Sequence, residues 1–199
     1  MSRRLLVLAA VIVAALLVVP AAFALRVHVR VEGKTRTIYG SAEPTLNVKA
    51  NALDALDSAS FAGEFYYHVT TTSFGPYVDQ IGRYVAGATT GWVFKVNGVS
   101  PLVGADAVAL KDGDTVLWYW ATFGPSGGPP TLALKAGGKR NCYRVLAQND
   151  AGKTTPATGA RLHVGSRSVL ARNGSACLGK HQGLVTATLK GAVRSNALK

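Results

Sequence analysis

The chain has little of what catalytic and metal centres are built from. It holds two cysteines, Cys142 and Cys177, and four histidines, His28, His68, His163 and His181. No pair among them stands at metal-ligand spacing, which removes the common zinc patterns. No serine lies in a nucleophile elbow, and no glycine-rich phosphate loop is present. The sequence therefore offers no catalytic constellation, and we read it as non-enzymatic. Asp112 and Asp114 flank Gly113 and are hard oxygen donors of the kind calcium takes. Nothing nearby completes a ligand set, so the triplet reads as a polar turn and no metal is expected.

Long apolar runs are missing too, with one exception. Arg3 and Arg4 precede an unbroken apolar stretch from Leu5 to Val19, Pro20 ends it, and Ala22-Phe23-Ala24 supplies a small-x-small cleavage pattern. The run is shorter than the about 20 residues that a bilayer-spanning helix needs. Residues 1–24 are expected to be a cleavable secretory signal; the competing reading is an uncleaved anchor helix. On the first reading the protein is secreted or associated with the cell envelope, with no transmembrane helix after cleavage. An exported chain with an even cysteine count most simply closes one disulfide, Cys142 to Cys177.

Acidic residues are almost absent from the second half. Residues 25–124 carry 8 Lys+Arg and 9 Asp+Glu, whereas residues 125–199 carry 12 Lys+Arg and a single acid, Asp150. Such an asymmetry attracts polyanions. For an exported protein the expected partner is an anionic cell-envelope polymer, bound through residues 131–199; the bland alternative is a solvated basic surface. Nucleic acid is not expected, since no reading motif accompanies the charge. Gly124 to Pro130 reads G-P-S-G-G-P-P, too rich in turn formers for a strand or helix. We place a linker at residues 125–130, between one domain at 25–124 and another at 131–199.

Leu25 to Val31 alternates strictly, with Leu25, Val27, Val29 and Val31 on one face, as a half-buried strand does. Thr35 to Tyr39 follows as a return strand. Leu46, Leu53 and Leu56 recur at roughly helical spacing, so a helix is expected from Leu46 to about Ser58, capped by Thr45. Phe65–Thr70 and Tyr77–Ile81 read as strands. Trp92–Val96 sets Trp92, Phe94 and Val96 against Val93 and Lys95, and Asn97-Gly98 provides a turn with positive φ. Thr115–Ala121 sets Val116, Trp118 and Trp120 against Leu117 and Tyr119. The order describes a small α+β, β-grasp-like domain, a mixed sheet with one helix across it. Beyond the linker no helical period appears. Leu132–Leu134, Cys142–Ala147, Ala160–Val164, Leu184–Leu189 and Val193–Leu198 are short strand candidates, with Cys177 in a loop. That spacing suggests a small all-β, immunoglobulin-like sandwich. At its size it should depend on the disulfide.

The strand and turn Gly91-Trp92-Val93-Phe94-Lys95-Val96-Asn97-Gly98, followed by Leu110-Lys111-Asp112-Gly113-Asp114-Thr115-Val116, resembles the transcobalamin-like C-terminal domain, over roughly residues 26–123. In bacteria this domain belongs to exported proteins of unknown function. In the animal cobalamin carriers it closes over one face of the corrinoid. The resemblance implies a β-grasp-like fold and a ligand-facing edge, with cobalamin as the one cofactor it suggests. The large helical barrel that supplies the other corrinoid face is missing here. The second half is similar to the generic immunoglobulin-like modules of bacterial surface proteins.

Aromatic side chains concentrate in the first domain, where strand faces can form a platform for a flat ligand. Trp92, Trp118 and Trp120 are expected mainly to fill the core. Tyr67, Tyr119 and Lys95 are the expected surface members of a ligand site. The leading reading is a non-catalytic extracellular binding module; the alternative is a small-ligand carrier of corrinoid type.

Overall fold

The structure is a computed structural model that describes residues 24–199 apart from Phe74 and Ser126. The expected signal, all but its last residue, lies outside the described residues. Among the described residues no helix is long and apolar enough to cross a membrane.

The first half is an α+β domain. Strand β1 (Leu25–Glu32) lies parallel to β8 (Thr115–Thr122), which pairs antiparallel with β7 (Thr90–Val96). On its other side β1 pairs antiparallel with β2 (Thr37–Tyr39) near its end and with β3 (Thr45–Val48) near its start. The resulting order, β2-β1-β8-β7, is a mixed sheet of grasp type. Helix α1 (Ala52–Gly63) crosses one face and buries Ala52, Ala55, Leu56 and Ala59 against Val27, Val29, Val31, Val116 and Trp118. Three of those four helical residues are alanines, so the helix backbone sits close to the sheet. The Trp118 indole donates to the Ala52 carbonyl at 3.2 Å. A second small sheet, β4 (Tyr67–Thr72), β5 (Gly75–Ile81) and β6 (Tyr84–Val85), flanks β7 without joining its ladder; the Trp92 indole of β7 donates to the Tyr84 carbonyl of β6 at 2.9 Å.

The helix begins later than its leucine spacing predicts. Leu46 and Val48 alternate in β3, and Thr45, the expected cap, opens that strand. Asn51 is the true cap: its side chain accepts from the Asp54 N–H at 2.9 Å, and the Asp54 carboxylate accepts from the Asn51 N–H at 3.2 Å. This reciprocal pair is a capping box, which fixes a start wherever it occurs. Leu46 belongs to the same core as the helix, and this is why its spacing mimics a helical period.

The second half is a β sandwich. One sheet holds β9 (Thr131–Ala136), β10 (Cys142–Gln148), β11 (Thr154–Pro156) and β14 (Ser175–Cys177); the other holds β12 (Arg161–Val164), β13 (Arg167–Leu170) and β15 (Thr186–Thr188). Leu132, Leu134, Tyr143, Val145, Leu162, Val164, Val185 and Ala187 form its core. Cys177 is not in a loop: it ends β14 directly opposite Cys142, to which it is disulfide-bonded. Val193–Leu198, expected as a strand, makes only isolated bridges, Val193 to Thr131 and Leu198 to Val185. Here the Asn196 side chain imitates a strand backbone. It accepts from the Leu134 N–H at 2.8 Å and donates to the Leu134 carbonyl at 3.2 Å.

The sheet face that α1 leaves uncovered is covered by the sandwich. Leu117, Tyr119, Ala121 and Val93 pack there with Val193. Two polar clusters flank that contact. Glu32, fully buried, accepts from Arg194 Nε at 3.0 Å, from Arg30 Nη1 at 3.2 Å and from the Thr37 hydroxyl at 3.0 Å. Arg30 also donates to the Arg194 carbonyl at 2.7 Å. In the second cluster Lys95, likewise fully buried, donates to the carbonyls of Asn149 and Gln148 and to the Thr131 hydroxyl. The Asn97-Gly98 turn has the expected positive φ at both residues, and a Cβ on Gly98 would strike the Gln148 side chain.

Candidate functional site

The most apolar cleft among the described residues lies along β7, the edge strand of the large sheet, and has a volume of about 290 Å³. Trp92, Val93 and Phe94 form one wall, Pro76–Val78 of β5 the opposite one, and the loop from Ser100 to Ala105 closes the side. Trp118 and Tyr119 of β8 reach it from behind, and Phe123, Gly128 and Asp150 complete the mouth. The strand alternation read from the sequence explains the first wall. Asn97 N–H donates to the Thr115 carbonyl, which makes the odd-numbered residues of β7 the hydrogen-bonded partners of β8. The N–H and C=O of Phe94 therefore point away from β8, toward the cleft side of the edge.

The mouth is apolar. Tyr77, Val103 and Phe123 line it, and all three are exposed. One end is polar. The Asp150 carboxylate accepts from the Ser100 hydroxyl at 3.0 Å and lies 3.5 Å from Lys95 Nζ. The Tyr119 hydroxyl sits in the same group; burial, with Asp150 adding, pushes it up to about 12. Burial also holds the Lys95 ammonium below its usual range, opposed by Asp150. Among the described residues Asp150 is the only charged one of the cleft lining, so the site suits an apolar ligand that is neutral or cationic and offers Asp150 a donor.

The six residues expected to bind ligand are divided by the structure. Trp92, Trp118 and Tyr119 line the cleft, the first two also buried in the core as their alternation predicts. Tyr119 and Lys95, expected at the surface, are buried, because the sandwich covers their side of the sheet; Lys95 acts on the cleft only through Asp150. Tyr67 lies elsewhere: its hydroxyl donates to Asp57 at 3.0 Å, and burial followed by that bond raises it to about 12. Trp120 packs edge-on against Trp92 and lines a separate crevice by Gly191–Arg194, where its indole N–H is buried without a partner among the described residues. Sequence reasoning missed the loop Ser100–Ala105, Phe123 and Asp150. A signal existed in the run Val99-Ser100-Pro101-Leu102-Val103, which is apolar yet too broken for a strand.

The aspartates considered for calcium are otherwise engaged. Asp112 accepts from the Arg26 backbone and guanidinium, and Asp114 from Asn97 and the Lys111 N–H. Among the described residues no three metal-ligating side chains converge. His68 meets Asp79 at 2.7 Å on the β4–β5 hairpin, an exposed pair with no hydroxyl or thiol bonded to the ring among the described residues.

Residues 50–122 match the model of a family described as Domain of unknown function (DUF4430). No curated protein matches the chain. The matched region opens just before the Asn51 cap and closes at the end of β8. It contains every cleft residue named above except Phe123, Gly128 and Asp150, so the cleft's one charge lies outside the family match.

Proposed function

We propose that the protein is an exported, non-catalytic binding module whose ligand site is the cleft along β7. One observation carries this reading: three exposed apolar side chains, Tyr77, Val103 and Phe123, line a cleft with one small polar cluster at its end. An apolar depression with a few convergent polar groups is the usual form of a ligand site. The ligand class is a small apolar molecule, neutral or cationic. Export rests on the signal-like residues 1–24, and the disulfide suits an oxidising compartment. The basic second half would hold the module near an anionic envelope polymer.

Ligand-observed NMR with paired aromatic amines and aromatic carboxylates tests the site. The amines should bind in preference, and Val103→Arg, which puts a like charge on the cleft wall, should weaken them at least about tenfold, equivalent to about 1.4 kcal/mol, with unchanged melting. Equal binding of carboxylates, or no effect of Val103→Arg, would remove the cleft as the site.

A corrinoid carrier is the second reading. The motifs that resemble the transcobalamin-like domain form β7 and the turn before β8, and β7 is a wall of the cleft. A corrin ring would lie across the apolar mouth, not within it. Calorimetry with cobalamin and cobinamide decides: heat with either supports the carrier, and none with both removes it.

A further inference from the structure

Of the twelve cations in residues 125–199, Arg194 alone forms an ion pair among the described residues, and its partner Glu32 belongs to the first domain. The only acid of the second half, Asp150, is taken up by Ser100 and Lys95. The remaining positive charge is therefore uncompensated within the sandwich.

Three of these cations stand in one row. Lys135 of β9 is directly opposite Arg144 of β10. Arg144 is directly opposite Ser175 of β14. Ser175 bridges in turn to Arg172 across the Asn173-Gly174 turn, each N–H bonded to the other's carbonyl at 2.9 Å. Residues opposite one another across strands share a face, and all four are exposed. At about 4.8 Å per strand the rung spans roughly 14 Å. The side chains of Lys135, Arg144 and Arg172 have no hydrogen-bond or ionic partner among the described residues. Like charges directly opposite across strands are destabilising, so Lys135 beside Arg144 is a cost that a bound anion would remove. The platform is rigid: the Cys142–Cys177 disulfide is the adjacent pair on the same face and ties β14 to β10.

We propose that the row Lys135–Arg144–Ser175–Arg172 binds a linear phosphodiester polymer of the cell envelope, running across the strands. This rests on the reading of the second half as an envelope anchor and adds its place and chemistry. Guanidinium forks match phosphate oxygens in pairs, and the Ser175 hydroxyl between the two arginines supplies a further donor. A lipid surface fits less well, because the row itself has no apolar side chain to insert.

The test is binding of poly(glycerol phosphate) to the purified protein as a function of salt. The probes set beside it are a single-stranded oligonucleotide and phosphatidylglycerol vesicles. The variant Lys135→Gln/Arg144→Gln/Arg172→Gln is compared with a charge-matched control, Lys153→Gln/Lys180→Gln/Lys190→Gln. Loss of three contacts should weaken binding at least about tenfold and lower the log–log salt slope by roughly 2, while the control changes little. The row variant should melt at or above the wild-type temperature, which separates lost binding from lost folding. Equal loss in both variants overturns the row but leaves a diffuse basic anchor. No polymer binding by the wild type overturns row and anchor together. Tighter binding of the oligonucleotide or of vesicles overturns the phosphodiester-polymer assignment.

Discussion

Single side chains in this protein are tuned mainly by how much of each the second domain or the helix covers. Tyr67 and Tyr119 are raised to about 12, chiefly by burial, with Asp57 and Asp150 respectively adding to it. Tyr84 is lowered to about 8 because the Thr35 hydroxyl, and then Arg83, donate to its oxygen. Spectrophotometric titration should therefore show Tyr84 ionising near pH 8 and Tyr67 and Tyr119 near pH 12. The unfolded chain ionises all tyrosines near pH 10. Between pH 10 and 12 the folded state thus holds protons at Tyr67 and Tyr119 that the unfolded state has lost. Their contribution to stability is complete below pH 10 and disappears as pH rises through 12. Tyr84 acts with the opposite sign between pH 8 and 10. Urea melts across this range should show stability falling above pH 10; a flat profile would contradict the burial of both residues.

At the level of elements, much of the fold was legible. Strict alternation located β1, β7 and β8 within a residue or two and assigned their faces correctly. It did so because one face of each strand is wholly apolar. The helix start was not legible from leucine spacing, since Leu46 enters the same core from a strand. The Asn51–Asp54 capping box was the better guide. Replacing Asn51 by alanine should cost about 1 kcal/mol, read as a lower urea midpoint with unchanged slope. Strands β11, β13 and β14 hold only three or four residues and escape any periodicity argument. The candidate site was legible in part for the same reason. Trp92, Trp118 and Tyr119 announced themselves by strand position, whereas Ser100 and Asp150 meet only because the two halves pack together. Tertiary contact of that kind leaves no local pattern.

For the whole molecule the decisive feature is the buried pairing of Glu32 with Arg30 and Arg194. A flexible-looking linker suggests two bodies that move independently, yet the contact between them buries a carboxylate, a guanidinium and an ammonium. We expect one cooperative thermal transition for both halves. Removing one partner of a buried pair leaves the other uncompensated, typically at about 3–5 kcal/mol. Glu32→Ala should therefore lower stability by that order and split the single calorimetric transition into two. A single transition at the wild-type temperature would show that the apolar contact around Val193 suffices alone.

Glu32 and Arg194 are 162 residues apart. While the chain is being made or threaded through a pore, the first domain can complete its own core and pair Glu32 with Arg30, but the back of its sheet stays bare. Only when residue 194 arrives does that carboxylate gain its second guanidinium. The pairing thus works as a check on completeness: a product cut short before Arg194 keeps an uncovered apolar sheet face, and proteases that sample exposed surface would meet it first.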